Sequence, residues 1–465
     1  EKRGQEIVLE KIKTEKRDDQ ISQLKSSLVP EEFSKYGEIV GFTLKRLREK
    51  LYKRELLAED VVQAFIWKSI QVCDEFDCAV EFISGALDKG RELDKMSMVK
   101  GPLHGVPFCV SENIGISGVD CSLSDLNRVL NPLNKNLHVV GGGVACLVGA
   151  GGAHFGVVIN GGKSSVSTLA HLCGLSTLIT TSLRLSRRGC FINRQGMDFD
   201  DKAFIPAILS KSAEDQALIL QALLENNLQT KSDSCCVPLA WNSQVFESKQ
   251  KFRIGYISGF QSFPPIGDSQ FVIGRVKSFL ESAGHVFVPF DVPFDPADFL
   301  DSNSSLDCNE GVVLEKVKNL IKFDYAKSRS DVTKPDRPKK EDLIHSFLDK
   351  MNHQKIDVVI SLVLPFPGIS LEDVDPVDEG IMAYTLMWNC LNFPVGVVKF
   401  WNESGIHWKS SLDLLDKSGK LVWKQKLLKE CANCVGMPIG VQVAGRPFQE
   451  ELVLKIMVEL DDINK

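Results

Sequence analysis

Val139–Gly174 reads VVGGGVACLVGAGGAHFGVVINGGKSSVSTLAHLCG, with glycine clusters at Gly141–Gly143, Gly149/Gly151/Gly152 and Gly161–Gly162. Short apolar runs separate the clusters, and the last one opens onto Lys163-Ser164-Ser165. Glycine is costly inside regular structure, so repeated clusters mark tight turns or close backbone approaches. A turn ending in two glycines and hydroxyls can present backbone N–H groups beside a nucleophile, as acyl transfer requires. It can also cradle a phosphate. A phosphate loop, however, needs a glycine at position 157, where Val157 stands, and Gly156 misses by one. An off-register loop cannot wrap its N–H groups round phosphates, so the stretch does not read as a nucleotide site. Ser164 and Ser165 keep two readings. They cap a helix starting near Val166, or one of them is a nucleophile with Gly161 and Gly162 as oxyanion donors.

Outward from this stretch, 465 residues with 43% hydrophobic content suffice for a large core. The net charge of −6 is spread without a basic stripe, which argues against nucleic acid as a partner. Thirteen cysteines form no regular framework, and Cys109, Cys146, Cys173 and Cys390 sit in apolar runs. They read as reduced, buried thiols, hence a cytoplasmic protein or one on the cytosolic face of a membrane. No window approaches the roughly eighteen consecutive apolar residues of a spanning helix. The chain starts at Glu1, so a trimmed N-terminal anchor stays open. Cys431 and Cys434 have half the ligands of a zinc site, and no second pair lies nearby. No metal or cofactor is expected. His138, His154 and His171 fall in the glycine-rich centre without catalytic or ligand spacing and read as local polar residues.

Residues 1–30 read as a helical arm, and 31–465 as one large domain. Leu44, Leu47 and Leu51 begin an amphipathic helix, and Asp60 is the expected N-cap of a second through Val61, Phe65, Ile66 and Ile70. GPLHGVPFCV (101–110) reads as a turn feeding a buried strand. A strand at Phe252–Ile257, a helix at Phe271–Ala283 and a strand at His285–Pro289 have the order of a βαβ unit. Residues 291–342 are polar and read as a loop or lid. Apolar runs at Asp357–Leu364, Phe393–Phe400 and Gly436–Val443 read as buried strands, with a last helix at Glu450–Leu460. The alternation argues an α/β domain with a mixed central β-sheet flanked by helices.

Several blocks in order resemble the amidase signature family, and within it the animal fatty acid amide hydrolases. They are Gly101–Glu112 (GPLHGVPFCVSE), Gly141–Gly162, Leu280–Phe290 (LESAGHVFVPF), Tyr384–Val398 (YTLMWNCLNFPVGVV) and Val435–Leu452 (VGMPIGVQVAGRPFQEEL). The resemblance implies the amidase signature fold and a Ser, bridging Ser and Lys triad. In such a triad a base activates an otherwise weak serine nucleophile. Carried over, the family's lysine falls on Ser111 and its bridging serine on Val140. The nucleophile falls on Lys163, Ser164 or Ser165, depending on the register chosen across INGGKSSV. Lys163 is a poor base, because an exposed lysine is protonated at neutral pH. Val140 lies only 29 positions after Ser111, where the family fits a further strand and helix, so the loss of one sheet strand is left open.

The resemblance therefore implies a degenerate member, catalytically impaired or inactive. The alternatives are an active serine hydrolase of acyl amides or esters with a rearranged site, and an acyl-ligand-binding module. A fatty acyl amide or other acyl compound is the implied ligand. Membrane association gains no support from the charged 291–342 stretch, and a homo-oligomer stays open.

Overall fold

The structure, a computed structural model, describes residues 2–119, 128–135, 138–140, 142–160, 166–190, 204–260, 264–293, 340–368, 384–385, 387–407 and 434–462. The chain opens with the helices α1 (Lys2–Ser27), α2 (Phe33–Gly41), α3 (Leu44–Tyr52), α4 (Ala58–Phe76) and α5 (Ala86–Asp94). Strands β1 (Cys109–Val110), β2 (Arg128–Leu130) and β3 (His138–Val140) follow, then α6 (Gly143–Gly149) and β4 (Phe155–Asn160). Next come α7 (Val166–Cys173), β5 (Ser176–Ile179), β6 (Ile205–Ser210), α8 (Ala213–Leu224), α9 (Leu228–Ser232) and α10 (Ser243–Phe246). After β7 (Arg253–Ile257), α11 (Ser269–Ser282) and β8 (Val286–Pro289), the chain closes with α12 (Lys340–Gln354), β9 (Val358–Leu362), β10 (Val395–Asn402), β11 (Pro438–Gly445) and α13 (Glu450–Asp461). Contacts cluster into two units: Glu1–Ile159 with Ser186–Asn193 and Pro206–Trp241, and Asn160–Leu185 with Arg194–Ile205 and Asn242–Lys465.

In the first unit, Thr43 Oγ1 accepts the Arg46 N–H and starts α3, whose Leu44, Leu47 and Leu51 are buried. They pack with Tyr36, Ile39, Val61, Ala64 and Phe65. The expected cap of α4 is corrected. Leu57 is its N-cap, and Asp60 sits inside the first turn, paired to Lys35 at 3.1 Å. The free N–H groups of Ala58 and Glu59 are taken instead by the two carboxylate oxygens of Asp94, at 2.7 and 3.0 Å. A distant carboxylate satisfies helix-end donors as well as a local one does. Toward the end of α1, Ile21 is buried and packs with Ile70, Cys73 and Phe76.

The strands of this unit follow the order β1-β4-β6, with β1 parallel to β4. The strand expected after GPLHGVP is present, but only half-buried and two residues long. Among the described residues between Ser111 and Val140, the only regular structure is β2 with the β3 strand it pairs antiparallel in a separate ribbon.

In the second unit the order is β5-β10-β11-β9-β7-β8. The βαβ reading holds, since β7 and β8 pair in parallel and α11 lies between them in the chain. β10 is antiparallel to β5 and β11, and β11 to β9, so the pairing is mixed. Every residue of β9 and β11 is buried, which is why both read as continuous apolar runs. Ser361 of β9 and Gln442 of β11 are the polar exceptions, and Gln442 Nε2 donates to Ser361 Oγ at 2.9 Å and to the Leu362 and Tyr384 carbonyls at 2.8 Å. Phe290, Phe347, Trp388 and Phe393 fill an aromatic core, with Phe347 edge-on to Phe393 at 5.5 Å. Each such buried side chain contributes roughly 1.5–3 kcal/mol. Of residues 291–342, 294–339 lie outside the described residues, and Lys340 opens α12.

Candidate functional site

Ser111 follows directly on β1. Its N–H donates to the Val157 carbonyl at 2.9 Å, extending the parallel ladder one residue beyond Val110. The half-buried Ser111 hydroxyl donates to Asn113 Oδ1. The Ile114 N–H returns to the Ser111 carbonyl at 3.0 Å, closing a turn. Serine offers no group that takes up a proton at neutral pH.

Val140 closes β3, where its backbone pairs with Arg128. Two glycines that follow serve packing. A Cβ on Gly143, the first residue of α6, would stand 2.5 Å from the Cys78 carbonyl oxygen. One on Gly156 would stand 2.1 Å from Val144 and 2.9 Å from Cys109 Sγ. Both are close approaches of a glycine backbone, Gly143 setting α6 against the segment after α4 and Gly156 setting β4 against α6 and β1.

Gly161, Gly162, Lys163, Ser164 and Ser165 lie outside the described residues, between β4 and α7. Asn160, fully buried at the end of β4, donates through Nδ2 to Asn389 Oδ1 at 3.0 Å. Its Oδ1 accepts the N–H of Val166, the first residue of α7, at 3.2 Å. One side chain thus ties together the residues on both sides of 161–165. Neutral amides meet this need without burying a charge. The sequence gives no local signal that joins Asn160 to Asn389, 229 residues away.

The histidines divide. His171 is fully buried on α7, where Nδ1 accepts the Gly440 N–H at 3.0 Å and ties α7 to β11. Burial pushes its pKa down to about 3, so it is neutral in the fold. His154 is driven down to about 4 by burial, with the Lys211 charge adding to the effect. Its ring packs on Phe65 at 4.9 Å, and its Nε2 has no partner among the described residues. His138 lies on β3. Cys431 falls outside the described residues, and the buried Cys434 thiol donates to the Gly368 carbonyl at 2.7 Å. Among the described residues, no group of three or more His, Cys, Asp or Glu is placed to hold a metal ion.

Sequence reasoning missed a buried ionic cluster in the second unit. Arg184 Nη2 lies 2.8 Å from Glu451 Oε1, and its Nε 3.6 Å from Glu450 Oε2. Glu450 also accepts the Thr181 N–H at 2.8 Å, and Glu451 the Asn242 N–H at 3.0 Å. Burial holds the Glu450 carboxyl above its usual range, against the opposing pull of Arg184. Nothing in a single sequence pairs an arginine with acids more than 260 positions downstream.

The chain belongs to the Amidase family, whose model matches residues 118–326 and 297–454. It is 23% identical to fatty acid amide hydrolase 1 of Caenorhabditis elegans over 554 aligned positions, covering 97% of this chain and 94% of that protein. That alignment is longer than the 465-residue chain, so stretches of the relative have no counterpart here. Fatty-acid amide hydrolase 1 of Sus scrofa is 25% identical over 401 positions, 77% of this chain and 67% of that one. A solved fatty acid amide hydrolase superposes with a TM-score of 0.72 at 19% identity, covering 95% of this chain and 88% of the other. The expected α/β fold with a large mixed central sheet flanked by helices is borne out by that likeness. No helix among the described residues is long and apolar enough to cross a membrane.

Proposed function

We propose that this chain is a fatty acid amide hydrolase-like protein whose Ser-Ser-Lys machinery has degraded, leaving a pseudoenzyme of lipid amide metabolism. The observation that carries the reading is Ser111 at the family's lysine position, its hydroxyl engaged by Asn113. Val140 at the bridging-serine position removes the proton relay as well. Members of such a unit act together. In a serine protease, losing the nucleophile or the general base alone costs a factor on the order of a million. Ser164 and Ser165 remain as candidate nucleophiles beside Gly161 and Gly162 as oxyanion donors, but without a base they stay weak. Lys163 is no replacement unless it is desolvated. The retained fold suits a fatty acyl amide or another acyl ligand, in the cytoplasm or on the cytosolic face of a membrane.

The test is hydrolysis of a long-chain fatty acid primary amide by the purified chain, with fluorophosphonate labelling of serine alongside. The expected result is turnover at the buffer rate and no labelling at Ser164 or Ser165. Hydrolysis that vanishes in Ser164→Ala or Ser165→Ala overturns the proposal in favour of an active, rearranged hydrolase.

A further inference from the structure

One outward stripe of α11 carries Phe271, Gly274, Arg275, Ser278 and Phe279, at the three- and four-residue spacing of a single helix face. The same helix turns Val272, Ile273, Val276 and Leu280 into the core. With His407 the outward stripe lines an open groove of about 790 Å³, within the usual size of small-molecule sites. Gly274 forms its floor, since a Cβ there would meet nothing within 4 Å. Phe271 is 45% exposed and Phe279 half-buried. They stand eight residues apart, about 12 Å along the helix axis.

Arg275 is the polar centre of this groove. Its guanidinium lies 3.9 Å over the Trp401 ring, and among the described residues it makes no hydrogen bond or ion pair. Trp401 is itself held, because its Nε1 donates to Asp268 Oδ2 at 3.3 Å. It follows a register shift in β10 between Lys399 and Trp401, the kind of irregularity that re-aims a side chain. The nearby acids are occupied. Asp268 Oδ2 also accepts the Ser404 N–H at 2.9 Å, and its buried Oδ1 faces His407 Nε2 at 3.8 Å. Glu403 accepts the N–H groups of Asp268 and Gly405, and burial raises its pKa. His407 in turn packs against Phe271 at 4.6 Å.

We propose that this groove binds small carboxylates with an apolar tail, Arg275 taking the carboxylate and the two phenyl walls taking the tail. A stacked guanidinium with its donors unspent matches a carboxylate in a two-point pair. The walls select an apolar body, and the Gly274 floor leaves room for it. The proposal does not rest on the amide chemistry.

Calorimetric titration of the full chain with decanoate tests this, with decanol as a tail of the same length lacking charge. Arg275→Gln and Gly274→Leu change exposed positions, and circular dichroism checks their folding. Decanoate is expected to bind the unaltered chain, to bind each variant at least tenfold more weakly, and to bind at least tenfold more tightly than decanol. The proposal is overturned if decanoate fails to bind the unaltered chain, if either folded variant binds it within tenfold of the unaltered chain, or if decanol binds within tenfold of decanoate.

Discussion

At Cys109–Val110, two half-buried residues make a strand with β4 as partner, and Ser111 continues it by one hydrogen bond. At Pro438–Gly445, eight buried residues lie between β10 and β9, with His171 bonded to the backbone at Gly440. A half-buried strand end accommodates a serine in place of a long basic side chain at little structural cost. The interior of β11 has no such latitude, since interiors are close-packed and an altered volume is felt at once. On the proposed reading, catalysis depends on the first kind of position and folding on the second. The fold is kept at 23% identity to the Caenorhabditis elegans relative, and the proposal assigns the change to the positions that carry protons.

The sharpest way to break this contrast is the ionic cluster on α13. Arg184→Ala leaves Glu450 and Glu451 buried without their cation and is expected to cost about 3–5 kcal/mol, read by chemical denaturation. A loss below about 1 kcal/mol would place that cluster with the tolerant positions.

Acid is the next lever. His171 and His154 have folded pKa values pushed down to about 3 and about 4, against about 6.5 for an unfolded histidine. The unfolded chain therefore binds protons first as pH falls. The stability these neutral histidines allow is complete above pH about 6.5 and declines through the folded values, by roughly 1.4 kcal/mol per unit for each group. Denaturation midpoints measured from pH 8 to 4 should show that slope, reduced in His171→Gln. An unchanged slope in that variant would mean that His171 is not the titrating group.

The smallest effects sharpen the comparison at the site itself. Asn160→Ala strands the Asn389 amide and the Val166 N–H and is expected to cost about 1–3 kcal/mol. Ser111→Ala gives up one half-buried hydrogen bond and should stay within about 1 kcal/mol. Equal losses in the two variants, measured by the same denaturation, would erase the distinction between the two positions.

Legibility followed the range of the interaction. The β7-α11-β8 unit, the apolar runs of β9 and β11 and the amphipathic α3 depend on neighbours a few positions apart, and their periodicity is visible in the chain. The α4 cap is not, because Asp94 reaches it from another helix while Asp60 pairs with Lys35. The half-burial of β1 is set by a short pairing that no local pattern encodes. Asn160 with Asn389, and Arg184 with Glu450 and Glu451, join residues more than two hundred positions apart. The serines and glycines at 161–165, central to the sequence reading, fall outside the described residues.

The complete burial of β11 also sets a clock. From Val441 to Ala444 the strand pairs with both β10 and β9, and amides there exchange with solvent only when the whole fold opens, an event held back by the full stability, typically about 5–15 kcal/mol. The amides of Cys109 and Val110 exchange through local fraying, which needs only a small part of that energy. In deuterated water, peptides covering 438–445 should therefore stay protonated orders of magnitude longer than those covering 109–110. The order in which the chain loses its protons would then mark which residues are bound up with the fold.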